Sequence, residues 1–203
     1  KNRFPDIREP TLALPLEDYL ARLKEAGLST LPGTAAEILD PEVRAIICSD
    51  KVTADEWIEV MRVAHGVGLR STATIMFGHV EEYKHWARHL LRIRGLQEET
   101  GGFTEFVPLP FVHMESPIWR KGLARSGPSY REAVLMHAVA RIALHPVIPN
   151  IQVSWVKMGP EGAAAILIPR TRFAPVKTTG DMLALMSDAY EVTPDHRMVL
   201  KAE

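Results

Sequence analysis

His79 directly follows Gly78 and the apolar, threonine-rich run Ser71 to Phe77. An imidazole where a strand ends can project into a pocket and exchange protons near neutral pH; a histidine on a surface loop fits the same pattern. Glu37 comes shortly after Pro32-Gly33, where its carboxylate could accept hydrogen bonds from a bound hydroxyl or serve as a plain helix carboxylate. In Phe103-Thr104-Glu105-Phe106-Val107 the alternation places Thr104 and Phe106 on one face and Glu105 on the other. A carboxylate in a strand covered on both sides needs a partner, so Glu105 is either an interior site residue or half of an ion pair. His85 and His89 share a helix face at the spacing that can clasp zinc, but no Glu follows His85 in the H-E-x-x-H pattern and no third ligand is evident. They and His137 read as a solvated polar helix surface, and no metal site is expected. The one cysteine, Cys48, follows Ile46-Ile47 and reads as an ordinary semi-buried thiol. The chain has no Walker loop, dinucleotide fingerprint or G-x-S-x-G elbow.

The elements that must position these groups alternate between helical and extended. Leucines at helical spacing predict a helix over Leu16 to Ala26, closed by Gly27. Leu28 to Leu31 is a short apolar segment ended by Pro32-Gly33, and Thr34 to Leu39 is predicted as a short helix. Thr53-Ala54-Asp55-Glu56 has a capping-box pattern before the apolar positions Trp57, Ile58, Met61, Ala64 and Val67. Strands are predicted over Ser71 to Phe77, Phe103 to Val107 and Ile148 to Val153, with helices over Glu81 to Thr100 and Ser129 to Leu144. This alternation predicts an α/β fold of parallel β/α units, in which active sites sit at strand ends. Glu37, His79, Glu105 and the run Gln152-Val153-Ser154-Trp155 are all expected near such ends.

Composition bounds the rest. With 203 residues and 46% hydrophobic content the chain can bury a core. A net charge of −1 offers no electrostatic footprint for nucleic acid or an anionic membrane. No apolar run approaches the roughly 20 residues that span a bilayer. The start, Lys1 to Asp6, lacks a signal-type apolar region and reads as the middle of a longer protein. A single cysteine excludes an intramolecular disulfide and points to a reducing, cytoplasmic setting.

Four longer stretches carry a resemblance: Leu31 to Leu39 (LPGTAAEIL), Thr74 to His79 (TIMFGH), Gly101 to Phe111 (GGFTEFVPLPF) and Pro149 to Lys157 (PNIQVSWVK). In this order they resemble the radical S-adenosylmethionine enzymes of deazaflavin synthesis, the FO synthase family and its 5-amino-6-(D-ribitylamino)uracil–L-tyrosine 4-hydroxyphenyl transferases. The menaquinone enzymes of the futalosine route share a looser version. The resemblance covers about residues 1–165 and implies the C-terminal half of a partial (β/α) barrel. It further implies S-adenosylmethionine and a [4Fe–4S] cluster as cofactors. A 5′-deoxyadenosyl radical would join the 4-hydroxybenzyl fragment of L-tyrosine to the diaminouracil. It assigns Glu37 to S-adenosylmethionine and His79, Glu105, Asn150, Gln152 and Ser154 to the substrates, with Trp155 as a packing or stacking wall. A cluster needs closely grouped cysteines, so a chain with Cys48 alone is expected not to generate the radical by itself.

After Gly159-Pro160-Glu161-Gly162-Ala163 the sequence departs from that family. Ile166 to Leu183, with Arg170, Arg172 and Pro175-Val176-Lys177, resembles UTP–glucose-1-phosphate uridylyltransferase over about residues 164–203. That likeness implies a phosphate contact for Lys177, a closing strand over Ala165 to Ile168, and a helix capped by Thr178 or Thr179 and running through Tyr190. The expected domains are therefore residues 1–165, the barrel half, and 166–203, a foreign α/β tail. Three functions follow in order: an incomplete radical S-adenosylmethionine transferase, a non-catalytic binding module for tyrosine, the uracil or a partner chain, and a sugar-nucleotide uridylyltransferase fragment. A half barrel also exposes strand edges, through which the chain is expected to self-associate.

Overall fold

Strand β2, Arg70–Phe77, organises the structure, because its alternating side chains face two different environments. Ser71, Ala73, Ile75 and Phe77 are fully buried on one side, while Thr72 and Met76 on the other are half-buried. A computed structural model of the chain describes residues 14–114, 116–154, 156–158, 190–192 and 198–200. Two compact units divide the chain, residues 1–160 and 161–203. In the second, β4 (Tyr190–Val192) and β5 (Met198–Leu200) pair antiparallel. Tyr190 is thus in a strand rather than at the end of a helix. Lys177, Trp155, the segment Ala165 to Ile168 and the cap at Thr178 or Thr179 lie outside the described residues.

The first unit runs α1 (Leu16–Glu25), β1 (Thr30–Leu31), α2 (Pro41–Ile47), α3 (Ala54–Gly66), β2, α4 (Tyr83–Thr100), β3 (Phe103–Pro110), α5 (Pro117–Arg120) and α6 (Tyr130–Leu144). Its sheet has the order β1-β2-β3 with both pairs parallel. The buried face of the sheet packs on α3, α4 and α6 through Trp57, Trp86, Leu90, Phe106 and Met136. Thr53 caps α3 with its side chain on the Glu56 N–H and receives the Glu56 carboxylate in return, the reciprocal bond pair the sequence predicts. Ser129 and Glu132 do the same for α6. Among the described residues, no helix is long and apolar enough to cross a membrane.

Several expectations are corrected. Strand β3 does not end at Val107 but continues through Pro108 and Pro110. The Phe111 N–H donates to Phe77 O (2.8 Å), whereas Phe106 exchanges its N–H and C=O with Asn150 and Gln152 on the opposite side (2.9 Å each). By alternation, the missing donors of Pro108 and Pro110 fall on the side of Phe106, away from β2. That choice spares the β2–β3 ladder and stops the next one. The predicted strand Ile148 to Val153 is accordingly a single parallel bridge, Phe106 to Ile151.

A bulge alters the faces of β3. Ser71 pairs with Phe103 and Ala73 with Phe106, so two steps along β2 match three along β3. Phe103 and Phe106 are both buried, while Thr104 is exposed rather than sharing the Phe106 face. The buried amide of Gln97 substitutes for a ladder here: its Oε1 accepts from Phe103 N (2.8 Å) and its Nε2 donates to Phe103 O (3.1 Å) and Val147 O (3.0 Å).

The helix histidines are core residues rather than a solvated face: His85, His89 and His137 are 5%, 0% and 7% exposed. His137 donates from Nδ1 to Ala133 O (2.7 Å), and His85 Nδ1 accepts from the Glu82 N–H (2.9 Å). His89 Nδ1 accepts from the Leu39 N–H at 3.0 Å, and burial pushes its pKa down to about 3. His65 bridges the Thr100 and Ser71 hydroxyls at 2.8 Å each. Burial, aided by nearby Arg70, pushes its pKa down to about 4.

Both rings are therefore neutral in the native state and charge more readily once the chain unfolds. Their contribution is complete above the unfolded value near 6.5 and declines as pH falls toward 4 for His65 and 3 for His89. We expect urea-unfolding free energy to drop between pH 6.5 and 4.5 with a slope reaching ~1.4 kcal/mol per unit for each histidine. A flat profile over that interval would contradict the buried neutral assignment.

Candidate functional site

The segment between β1 and α2, Gly33 to Asp40, is not helical, and its backbone polar groups are met one by one by distant side chains. The Gly33 N–H donates to Thr72 Oγ1 (2.7 Å), and Gly33 O accepts from the Thr74 hydroxyl. A Cβ on Gly33 would lie 2.1 Å from Thr72 O, so only glycine permits this approach. Thr34 O accepts from Trp57 Nε1 (3.1 Å). The buried Arg44 guanidinium donates to Ala35 O (3.2 Å), Ala36 O (2.6 Å) and Val52 O. Glu37 O accepts from the Met76 N–H (2.8 Å), Leu39 N–H reaches His89, and Asp40 caps α2 on Glu42 N (3.0 Å). A helix over Thr34 to Leu39 would take these carbonyls for itself; tertiary partners claim them instead.

Two residues of this segment, Ala35 (φ 62°) and Glu37 (φ 43°), occupy the left-handed region without being glycine. Such a conformation costs roughly 1–2 kcal/mol per residue and persists only where the surroundings over-determine it. The constraint fixes Glu37 beside the end of β2. Its Oε1 accepts from Lys51 Nζ at 2.8 Å, a bond that raises the Lys51 pKa. Lys157, in the turn after the Phe106–Ile151 bridge, donates from Nζ to Pro110 O at 3.2 Å. Desolvation lowers the Lys157 pKa, with Glu37 acting against it. Glu37 also exerts a field on His79. Glu37 thus sits at the end of β2, and Lys157 at the end of the neighbouring β3.

His79 is 2% exposed, not a surface-loop histidine. Its Nε2 donates to Met76 O (3.0 Å) and its Nδ1 accepts from the Val80 N–H (2.8 Å). Burial lowers its pKa, although Glu81 opposes the shift. Glu81, which sequence reasoning missed, is buried directly behind it. Its carboxylate accepts from Gly78 N (2.5 Å), His79 N (2.8 Å) and Trp86 Nε1 (3.1 Å). Burial works to raise the Glu81 pKa, but His79 and these donors hold it below the usual range. Arg125 adds a backbone bond to His79 O (3.0 Å) and a guanidinium contact to Glu81 (3.6 Å). Gly78 has φ 96°, and a Cβ there would meet Pro128 at 2.2 Å. The Gly-His corner therefore clamps the β3–α6 connection over the end of β2.

The other sequence candidates form a second group. Gln152 Nε2 donates to the half-buried Glu105, the partner that carboxylate needs. Asn150 Nδ2 donates to Thr104 O at 3.3 Å. Because β3 runs on to Pro110, Glu105 is in its first half rather than at its end, about 15 Å along the strand from the mouth. Ser154 O accepts from the Lys157 and Met158 N–H groups (3.0 Å each) and so sets the turn that carries Lys157.

Asp40, Glu42 and His85 bring three potential metal-ligand atoms within 4.8 Å of one another. The Glu82 N–H on His85 Nδ1 leaves the ring proton on Nε2, the atom facing Glu42 at 3.5 Å. Arg88 already pairs with Asp40 at 3.0 Å. A metal-bound histidine instead donates from its second nitrogen, so this group is an ion-pair cluster.

Sequence comparison adds the class. Residues 7–93 match the radical SAM superfamily, and residues 151–203 match UTP–glucose-1-phosphate uridylyltransferase. The first match lies within the first unit. More particularly, the chain is 56% identical over 144 residues to the 5-amino-6-(D-ribitylamino)uracil–L-tyrosine 4-hydroxyphenyl transferase of Methanopyrus kandleri, covering 71% of this chain and 39% of that protein. It is 53% identical over 154 residues to FO synthase of Streptomyces coelicolor (76% of this chain, 18% of that one). To FO synthase of Mycobacterium tuberculosis it is 55% identical over 146 residues (72% and 17%). The chain spans about two fifths of the first relative and under a fifth of the FO synthases.

The clamp at Glu81 is testable. Glu81→Gln keeps the shape but loses the charge that three N–H groups address, and should cost about 2–4 kcal/mol by chemical denaturation. A loss below about 0.5 kcal/mol would show that the carboxylate is not the organising group.

Proposed function

We propose that this chain provides the substrate-holding strand ends of a radical SAM barrel acting in deazaflavin synthesis. There L-tyrosine would donate its 4-hydroxybenzyl fragment to 5-amino-6-(D-ribitylamino)uracil. One observation carries the reading: Glu37 is held in a costly backbone conformation (φ 43°) at the point where the strand ends converge. Strain of that kind is kept where a side chain must be aimed. The name of the Methanopyrus relative, which specifies the uracil and tyrosine, supports the substrate class.

Among the proposed ligand groups, Glu37 would accept from an ammonium or hydroxyl of S-adenosylmethionine. Ser154 would meet polar groups of the substrates, while the Glu105–Gln152 pair and Asn150, farther from the mouth, would brace β3 beneath it. Trp155 would supply an apolar wall. His79, with both ring nitrogens engaged inside the protein, would act by shaping the corner rather than by donating to a ligand. A [4Fe–4S] cluster requires several closely grouped thiolates. Cys48 is the only cysteine in the 203 residues and is buried, and desolvation raises its pKa. These residues do not fit a cluster; their part is to bind and orient. A purely binding role for the chain is the second reading, and the single cysteine favours it. In the tail, the uridylyltransferase match at 151–203 leaves Lys177 as a proposed phosphate contact.

Calorimetry with S-adenosylmethionine, L-tyrosine and the diaminouracil tests the proposal. We expect saturable binding of at least one, weakened about 10- to 100-fold in Glu37→Ala, the loss of a hydrogen bond to a charged group. No binding of any of the three would overturn it. The strain gives a companion prediction. Glu37→Gly should bind as poorly as Glu37→Ala yet be more stable by about 1 kcal/mol, because glycine adopts positive φ without penalty. Equal stability of the two variants would mean that the conformation is not strained.

A further inference from the structure

Lys157 differs from the other cations of the strand-end mouth. Lys51 is paired with Glu37 at 2.8 Å, whereas among the described residues Lys157 has no carboxylate within ion-pair distance. Its Nζ donates to Pro110 O at 3.2 Å, one of the three N–H groups that an ammonium carries. The position is built: Ser154 O anchors the turn through Lys157 N and Met158 N, and the proline-bearing end of β3 offers a carbonyl that, among the described residues, no ladder partner uses on that side. Glu37 acts electrostatically on the same ammonium without pairing with it. An incompletely compensated cation at the end of β3 and a fixed carboxylate at the end of the neighbouring β2 are complementary to a zwitterion, whose carboxylate takes the lysine and whose ammonium takes the glutamate.

We infer that Lys157 is a binding residue for the α-carboxylate of an amino-acid ligand at this mouth, working opposite Glu37. The inference rests on the proposed function, which supplies two compounds of that chemistry, L-tyrosine and S-adenosylmethionine. Lys157 reads their shared α-amino-acid end rather than the phenol or the adenosine. Lys157 is exposed, so an arriving carboxylate can reach its ammonium directly. In the sequence Lys157 closes the stretch PNIQVSWVK, but nothing there gives it a role. Its partner Pro110 lies 47 positions away, and only the fold brings them together.

The test is calorimetry of the full chain against two matched pairs: L-tyrosine with tyramine, and S-adenosylmethionine with its decarboxylated analogue. Wild type, Lys157→Met and Lys157→Arg are compared, with thermal melting to confirm that each is folded. We expect wild type to prefer one acid over its decarboxylated partner by tenfold or more, and the member of the pair showing that preference identifies the source of the carboxylate. Lys157→Met should bind both members of that pair equally, while Lys157→Arg, which keeps the charge, should retain most of the preference. Binding of the acids with no preference in wild type, or a preference untouched in Lys157→Met, overturns the Lys157 assignment and leaves the proposed function standing. Binding of none of the four compounds overturns both.

Discussion

A carbonyl in a non-regular segment must find a donor, and the eight residues from Gly33 to Asp40 find theirs in Thr74, Trp57, Arg44 and Met76. These donors come from three elements, β2, α2 and α3. The segment can therefore form only after β2, α2 and α3 are in place, and once formed it leaves Glu37 no freedom to relax its positive φ. The alignment of the mouth follows from this. Lys51 is drawn to Glu37 across the segment, Asp40 starts α2 with a side-chain cap, and His89 pins Leu39 to α4. Buried donors with one available geometry act as a jig, which is why a segment without secondary structure can be among the most rigidly specified parts of a fold.

Charge is handled in the same manner at the neighbouring corner. Glu81 keeps its negative charge in a buried site because three N–H donors converge on it, and His79 gives up proton exchange in order to hold the backbone around it. A histidine after a strand and a glycine looks like a reactive group, yet here it completes a clamp. The reactive potential of the mouth belongs instead to Glu37 and the incompletely compensated Lys157. Sequence similarity to radical SAM enzymes of deazaflavin synthesis covers most of this unit, and the parts of the mouth described here are contributed by the stretches LPGTAAEIL, TIMFGH and PNIQVSWVK on which the resemblance rests.

Features governed by neighbouring residues were legible in the sequence. The Thr53–Glu56 capping box, the alternation of β2 and the helices α4 and α6 appear close to where local patterns place them. Features governed by distant partners were not. Thr34 to Leu39 has the composition of a short helix, but its carbonyls are claimed by residues as distant in sequence as Trp57 and Met76. Prolines at 108 and 110 ordinarily end a strand; they continue this one because their missing donors point away from β2. His85, His89 and His137 have the spacing of a wet helix surface, and only the packing of α4 and α6 against the sheet reveals that they are dry. Glu105 was correctly expected to need a partner, and Gln152 supplies it, but the extra length of β3 moves the pair away from the mouth.

The central claim is that one mouth, assembled from Gly33 to Glu37, Met76 to His79, Ser154 and Lys157, receives the ligand. Hydrogen–deuterium exchange of the whole chain with and without S-adenosylmethionine or L-tyrosine tests it directly, because exchange reports local opening along the chain. The account predicts added protection confined to peptides covering residues 33–40, 76–81 and 152–158, with the peptides of α1 and the β4–β5 pair unchanged. Protection concentrated elsewhere, or ligand binding with no change in these three segments, would contradict it.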